Sequence, residues 1–122
     1  MIVDDQTVVA AGIRKLIEPE CEVIACVEDG RVLLAEAERL RPDIILMEVL
    51  LPSLNGLDAA RYLARKVPEC KIVFLSIDGR HVEEAFRAGA SAYLLKRSQP
   101  SELTQAIHAV LRGQCYLTPL IA

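Results

Sequence analysis

The sequence predicts an α/β domain with a parallel five-stranded sheet and helices on both of its faces. Three observations support this fold class. Five short apolar runs alternate along the chain with longer amphipathic stretches, two of these runs are apolar almost throughout, and 122 residues suffice for one domain. Such alternation is typical of βα units joined by right-handed crossovers, whose parallel strands are buried on both faces.

The five apolar runs are the predicted strands. The third and fourth, DIILME and KIVFLS, are nearly continuous apolar segments, which is typical of strands covered on both sides, whereas the first run is short for a strand. The predicted strands span Ile2–Asp4, Val23–Val27, Asp43–Glu48, Lys71–Ser76 and Ala92–Leu95.

Between and after these strands, apolar residues recur at helical spacing and predict five helices. Pro100 lies just inside the start of the last helix, where its missing N–H costs nothing, and Gly113 follows that helix as a C-terminal cap. The five apolar stripes consist of Val9, Ile13, Leu16 and Ile17; Leu33, Ala37 and Leu40; Leu57, Ala60, Ala64 and Val67; Val82, Ala85 and Phe86; and Leu103, Ala106, Ile107, Val110 and Leu111.

Composition narrows the class of protein. Hydrophobic residues make up 52% of the chain and no apolar run reaches the length of a membrane span, so we expect a folded domain with no membrane association. The net charge of −3 argues against this chain binding nucleic acid by itself. Acids near the N-terminus argue against a signal peptide, and four cysteines without zinc or disulfide spacing indicate free thiols in the cytoplasm.

Polar side chains stand at the carboxyl ends of four predicted strands. Asp4 and Asp5 end the first strand, Glu48 the third, Ser76 the fourth and Lys96 the fifth. In a parallel sheet these ends meet at one edge, which is where open α/β sheets bind ligands. Clustered carboxylates repel one another unless a cation intervenes, and Mg²⁺ prefers such oxygen ligands. With a lysine and a hydroxyl added, the set suits stabilisation of a phosphoryl group.

Each of these residues also has a simpler interpretation. An acid pair after a strand can cap the next helix, a lysine at a strand end is usually solvated, and a lone serine is a common turn residue. The functional interpretation is favoured because all five residues fall at the same end of four different strands.

Four segments bear a family resemblance. The acid pair in IVDD, the run PDIILMEVLLPSLNG, the serine that closes KIVFLS, and GASAYLLK resemble the response-regulator receiver domain, with the CheY-like strand order 2-1-3-4-5. The resemblance covers essentially the whole chain. The segment from GASAYLLK to CYLTP resembles the NarL/FixJ/LuxR branch, in which a linker and a helix-turn-helix domain follow the receiver. It therefore implies a receiver domain over residues 1–113 and the start of a linker over residues 114–122.

The resemblance also implies roles for individual residues. It makes Asp4 and Asp5 the acid pair that binds Mg²⁺, with Leu50 lending a backbone carbonyl to the metal. Ser76 and Lys96 would contact the phosphoryl group. Tyr93 would be the aromatic switch that swings inward when the hydroxyl residue moves, although a packing role for Tyr93 is equally open.

Position 48 departs from the family pattern, which places an aspartate phosphoacceptor there. Glu48 carries its carboxylate about 1–1.5 Å further out, and in-line transfer tolerates little misplacement. We therefore expect impaired phosphorylation and a weakened Mg²⁺ site. Lys96 and Ser76 could bind Glu48 itself and bias the domain towards its active-like state. Three explanations stay open: a natural atypical receiver, an engineered mimic of the phosphorylated form, and a weak phosphoacceptor.

The implied partners are a sensor histidine kinase, a second copy of the receiver bound through the first and last helices, and DNA through a C-terminal domain that this chain does not include. The chain itself is then a signalling module of a transcription regulator, and not an enzyme. Other functions fit the fold. A flavin carrier is disfavoured because the loop DDQT would repel a phosphate, and an aspartate phosphatase because Asp4 and Asp5 are adjacent. A docking or dimerisation module independent of phosphorylation stays open.

Overall fold

The computed structural model describes residues 1–51 and 53–121. Within them, helices and strands alternate as the sequence predicts. The strands are β1 (Ile2–Val3), β2 (Cys26–Val27), β3 (Ile44–Glu48), β4 (Lys71–Ser76), β5 (Ala92–Leu95) and β6 (Tyr116–Leu117), and the helices are α1 (Thr7–Ile17), α2 (Gly30–Leu40), α3 (Gly56–Lys66), α4 (Val82–Arg87) and α5 (Pro100–Leu111).

The strands form one parallel sheet in the order β2-β1-β3-β4-β5-β6. The predicted fold class and the order of its first five strands are confirmed. The sheet has one strand more than the five predicted, because β6 lies in the segment that we expected to begin a linker. Gly113 adopts a φ of +81° after α5 and lets the chain turn back to the free edge of β5. The domain boundary at residue 113 stays a prediction.

Two of the predicted strands, β4 and β5, have the predicted bounds. The second strand is shorter than predicted, since only its last two residues are paired. In the register of the sheet, Cys26 lies opposite Ile2 and Val27 opposite Val3, so residues 23 and 24 precede the start of β1, and Ala25 contributes only its carbonyl, which accepts from the amide of Ile2 at 3.0 Å. A run of apolar residues forms a strand only where a neighbour offers hydrogen bonds.

Alternate residues of the central strands face two separate apolar layers, as the two-residue period of a strand requires. Helices α2, α3 and α4 cover one face of the sheet, and α1 and α5 cover the other. Val3, Met47, Phe74 and Tyr93 point to the first layer, while Ile2, Leu46, Val73 and Leu94 point to the second.

Helix ends follow the local sequence. The side chain of Asn55 accepts a hydrogen bond from the amide of Leu57 at 2.7 Å and caps α3, while Pro100 is the first residue of α5, as predicted. Among the described helices, none is both long enough and apolar enough to cross a bilayer.

Candidate functional site

The carboxyl ends of β1, β3 and β5 bring three of the predicted side chains together. Asp4 follows β1, Glu48 ends β3, and Lys96 follows β5. The ammonium Nζ of Lys96 lies 2.7 Å from Oε2 of Glu48 and 3.2 Å from Oδ2 of Asp4. Both carboxyl residues are buried, with 3% of Asp4 and 6% of Glu48 exposed, so one cation holds two acids in a water-poor site.

The side chain of Glu48 folds back onto the backbone that follows it. Its Oε1 accepts a hydrogen bond from the amide of Val49 at 3.0 Å and a longer one from Leu50 at 3.5 Å. Its Oε2 makes the ion pair with Lys96, although the geometry there is not that of a hydrogen bond. Both oxygens of this carboxylate are therefore engaged by the protein.

Three side-chain oxygens surround the ammonium of Lys96, two of them in ion pairs and the third in a hydrogen bond. The third is Oε1 of Gln6, at 3.2 Å from Nζ. Burial alone would lower the pKa of Lys96, but the contacts with Glu48 and Asp4 outweigh it and raise this pKa above its ordinary value. Sequence reasoning missed Gln6, whose only signal is its place directly after the acid pair.

Asp4 also fixes the entry into α1. Its Oδ1 accepts a hydrogen bond from the backbone amide of Gln6 at 2.8 Å. Gln6 itself takes the N-cap position of α1, so Asp4 does not serve as the helix cap that the simpler interpretation assigned to the acid pair.

Asp5 is exposed and does not complete a group of three acids. Across residues 1–51 and 53–121, no three acidic, histidine or cysteine side chains gather closely enough to hold a metal ion. The donors have the chemistry that Mg²⁺ prefers, but the ammonium of Lys96 contacts both buried carboxylates where a divalent ion would need them. As arranged, these residues do not fit Mg²⁺, and the assignment of Asp4, Asp5, Glu48 and the Leu50 carbonyl to a metal stays a prediction.

Ser76 adjoins the ion pair through the backbone of Lys96, and Tyr93 is bonded to the loop that follows Ser76. Ser76 ends β4 with 3% of its surface exposed, and its carbonyl accepts a hydrogen bond from the amide of Lys96 at 2.8 Å. Tyr93 is fully buried, and its hydroxyl donates to the carbonyl of Asp78 at 2.8 Å. Burial raises the pKa of Tyr93, and the side chain of Ser76 acts in the opposite direction. The ring of Tyr93 therefore lies inside the domain.

Gly56 shapes the loop that leads from β3 to α3. Its amide donates to the carbonyl of Val49 at 2.6 Å, and a Cβ at this position would lie 2.5 Å from the carbonyl oxygen of Glu48. Only glycine allows so close an approach. Leu50, in the same loop, has an exposed side chain and pairs with Asn55.

Comparison with known proteins decides the family. The sequence profile of the response regulator receiver domain matches residues 1–108. The chain belongs to this family. Receiver domains are signalling modules that partner with histidine kinases. The match decides against the flavin-carrier and phosphatase alternatives.

Two curated relatives and one solved structure show how close the similarity is. The transcriptional regulatory protein DegU of Brevibacillus brevis is 36% identical over 99% of the receiver chain, and the response regulator GacA of Pseudomonas viridiflava is 33% identical over all of it. The chain spans 53% and 59% of these two proteins, so it corresponds to little more than half of each.

The solved structure is a two-component response regulator of the LuxR family from Aurantimonas sp. SI85-9A1. It is 34% identical to the receiver, with a TM-score of 0.94 over 99% of this chain and 89% of the other. The predicted CheY-like fold and LuxR/NarL branch are confirmed.

Proposed function

We propose that this receiver domain is the signal-input unit of a transcription regulator and that Glu48 keeps its phosphoryl site closed. The observation that carries the proposal is the engagement of both Glu48 oxygens, one by the amides of Val49 and Leu50 and the other by Lys96. A nucleophilic carboxylate needs a free oxygen in line with the phosphoryl donor. Glu48 has to break an ion pair or a backbone hydrogen bond before it can offer one.

The same contacts favour an active-like state without phosphorylation. A phosphoryl group would draw Ser76 and Lys96 to the end of β3, and here the carboxylate of Glu48 already holds Lys96. The inward ring of Tyr93 agrees with that state. The bias is limited, because Glu48 brings one negative charge where a phosphoryl group brings nearly two.

Partners follow from the family and from the names of the relatives. One relative is named a transcriptional regulatory protein, and this chain spans about half of it. We assign DNA binding to a domain outside this chain, and signal input to a sensor histidine kinase that docks on the receiver. The proposed homodimer forms through α1 and α5, which share one face of the sheet and expose Val8 and Leu111.

A second candidate is a docking or dimerisation module in which the site serves structure alone. The closed ion-pair cluster of Asp4, Glu48 and Lys96 favours it, because the ammonium already contacts two carboxylates and the side chain of Gln6. In this case Glu48→Gln leaves dimerisation and kinase binding unchanged.

Phosphotransfer from acetyl phosphate tests the proposal. We expect label to enter Glu48→Asp, as an acyl phosphate cleaved by hydroxylamine, and to enter the unsubstituted chain at least about a hundredfold more slowly, since misplacement by about 1 Å costs that much. Glu48→Gln is the matched control, because it keeps the size of the side chain and removes the nucleophile. Equal labelling of the unsubstituted chain and Glu48→Asp would overturn the proposal.

A further inference from the structure

The last described residues are packed onto the sheet beside the candidate site. We call residues 114–121 the tail segment. Its strand β6 pairs in parallel with β5, and the amides of Tyr116 and Thr118 donate to the carbonyls of Ser91 and Tyr93 at 2.9 and 3.0 Å. Thr118 is fully buried. The tail segment is thus anchored directly on the backbone of Tyr93.

The tail segment also contacts the loop that leaves the candidate site. We call residues 77–81, between Ser76 and α4, the β4–α4 loop. Ile121 packs so closely on this loop that a Cβ at Gly79 would lie 3.0 Å from its Cδ1. Leu117 and Ile121 both pack against the core layer that contains Tyr93.

Tyr93 joins the two segments. Its backbone carbonyl holds the tail segment through Thr118, and its hydroxyl holds the β4–α4 loop through the carbonyl of Asp78 at 2.8 Å. The loop follows directly after Ser76, whose carbonyl is bonded to the amide of Lys96. The Glu48–Lys96 site, the loop, Tyr93 and the tail segment therefore form one chain of direct contacts.

We propose that the tail segment is a strap whose docking on β5 is coupled, through Tyr93 and the β4–α4 loop, to the state of the Glu48–Lys96 site. A rearrangement that moves the loop removes the surface on which Ile121 packs and weakens the pairing of β6 with β5. Because coupling between two sites is reciprocal, release of the tail segment also loosens the loop. The inference rests on the proposed function only in taking this site as the place where the signal arrives.

Amide hydrogen exchange on the unphosphorylated chain tests the coupling in both directions. Tyr93→Phe removes the hydrogen bond to Asp78 and keeps the ring, so we expect the Thr118 amide to exchange at least about fivefold faster, the low end of measured couplings. Ile121→Ala should speed exchange of the loop amide of Arg80, which donates to the side chain of Asp78. Slow exchange of the β4 amides shows that each variant is folded.

Leu120→Ala is the matched control, because Leu120 lies in the same segment with 55% of its surface exposed. Leu120→Ala should leave the exchange rates of the Thr118 and Arg80 amides unchanged. The coupling is overturned if Tyr93→Phe leaves the Thr118 amide at its original rate, or if Ile121→Ala acts on Arg80 no more than Leu120→Ala does. Neither result depends on whether Glu48 accepts a phosphoryl group, so this test and the phosphotransfer assay fail independently.

Discussion

At the scale of single residues, one methylene group decides the chemistry of the acceptor position. The longer side chain of Glu48 lets its carboxylate turn back to the amide of Val49 while it still reaches Lys96. Lys96 also makes an ion pair with Asp4 and a hydrogen bond to Gln6. The site is therefore a closed cluster in which one ammonium pairs with two buried carboxylates, and this pairing lowers the cost of burying their charge.

Gly56 gives a prediction at this scale. Gly56→Ala places a methyl group against the carbonyls of Glu48 and Val49, at 2.5 and 2.7 Å, so the loop has to move away from the site. We expect the free energy of unfolding to fall by about 1–3 kcal/mol, as for overpacked positions. Urea unfolding measures the change.

Gly12→Ala is the control for this substitution. Gly12 lies inside α1, and a methyl group added there would meet no atom of a neighbouring element within 4 Å, so alanine should stabilise the helix by about 0.5–1 kcal/mol. Opposite changes in the free energy of unfolding for the two variants would show that the close approach at Gly56, and not the loss of a glycine as such, causes the effect. Equal effects would contradict this.

At the scale of elements, α1 offers a surface for a second copy of the chain. Val8 is 84% exposed near the start of α1, so this apolar side chain has no cover within the chain. Val8→Glu should raise the dissociation constant of the α1–α5 dimer at least about tenfold, which corresponds to about 1.4 kcal/mol. Sedimentation equilibrium measures it.

Val32→Glu is the matched control for the dimer. Val32 is 51% exposed on α2, which covers the opposite face of the sheet. We expect this substitution to leave the dissociation constant unchanged. A dimer that Val32→Glu weakens and Val8→Glu spares would contradict the α1–α5 arrangement.

Elements were predictable from the sequence where their own residues determine them. The nearly continuous apolar runs of β3 and β4 mark strands buried on both faces, so β4 has the predicted bounds and β3 differs from the prediction only at Asp43. β2 depends on how far β1 extends beside it, and β6 has two residues, too few to show a period. The bounds of β2 and β6 therefore depend on the neighbouring strand, and the residues of one segment alone do not show where that strand lies.

The candidate site divides in the same way. Topology alone brings Asp4, Glu48 and Lys96 together, because parallel strands end at one edge. Gln6 and the amide of Val49 escaped prediction, since a backbone amide has no sequence signature and an exposed glutamine after a strand has many roles. We expected Asp5 to join the other acids because it also ends the first strand, but side chains of neighbouring residues in an extended chain point in opposite directions, and Asp5 is exposed.

At the scale of the whole molecule, a buried thiol makes stability depend on alkaline pH. Burial of Cys70 raises the pKa of its thiol from 9.0 to about 12. The unfolded chain therefore loses this proton above pH 9 while the folded chain keeps it, so the stability is fully present below pH 9 and is lost as pH rises from 9 to 12. At pH 10 the loss is about 1.4 kcal/mol relative to pH 8.

Comparison of the unsubstituted chain with Cys70→Ala isolates this effect. The variant should lose less stability between pH 8 and pH 10 in urea unfolding, whereas Cys115→Ala, at an exposed cysteine, should follow the unsubstituted chain. Parallel pH profiles for the unsubstituted chain and Cys70→Ala would show that Cys70 is not the titrating group. Lys96 contributes little between pH 8 and pH 10, because the stability that goes with its raised pKa is lost only as pH rises above its ordinary value of 10.5.

The whole account depends on the ion pair between Glu48 and Lys96, and a double-mutant cycle on the stability of the intact domain measures it most directly. The variants are Glu48→Gln, Lys96→Met and their combination, with the exposed pair of Glu83 and Arg87 as control. We predict a favourable coupling of about 1–2 kcal/mol for the buried pair, as for residues in one ion-pair network, and a much smaller one for the control. A Glu48–Lys96 coupling no larger than that of the exposed pair would contradict the closed site.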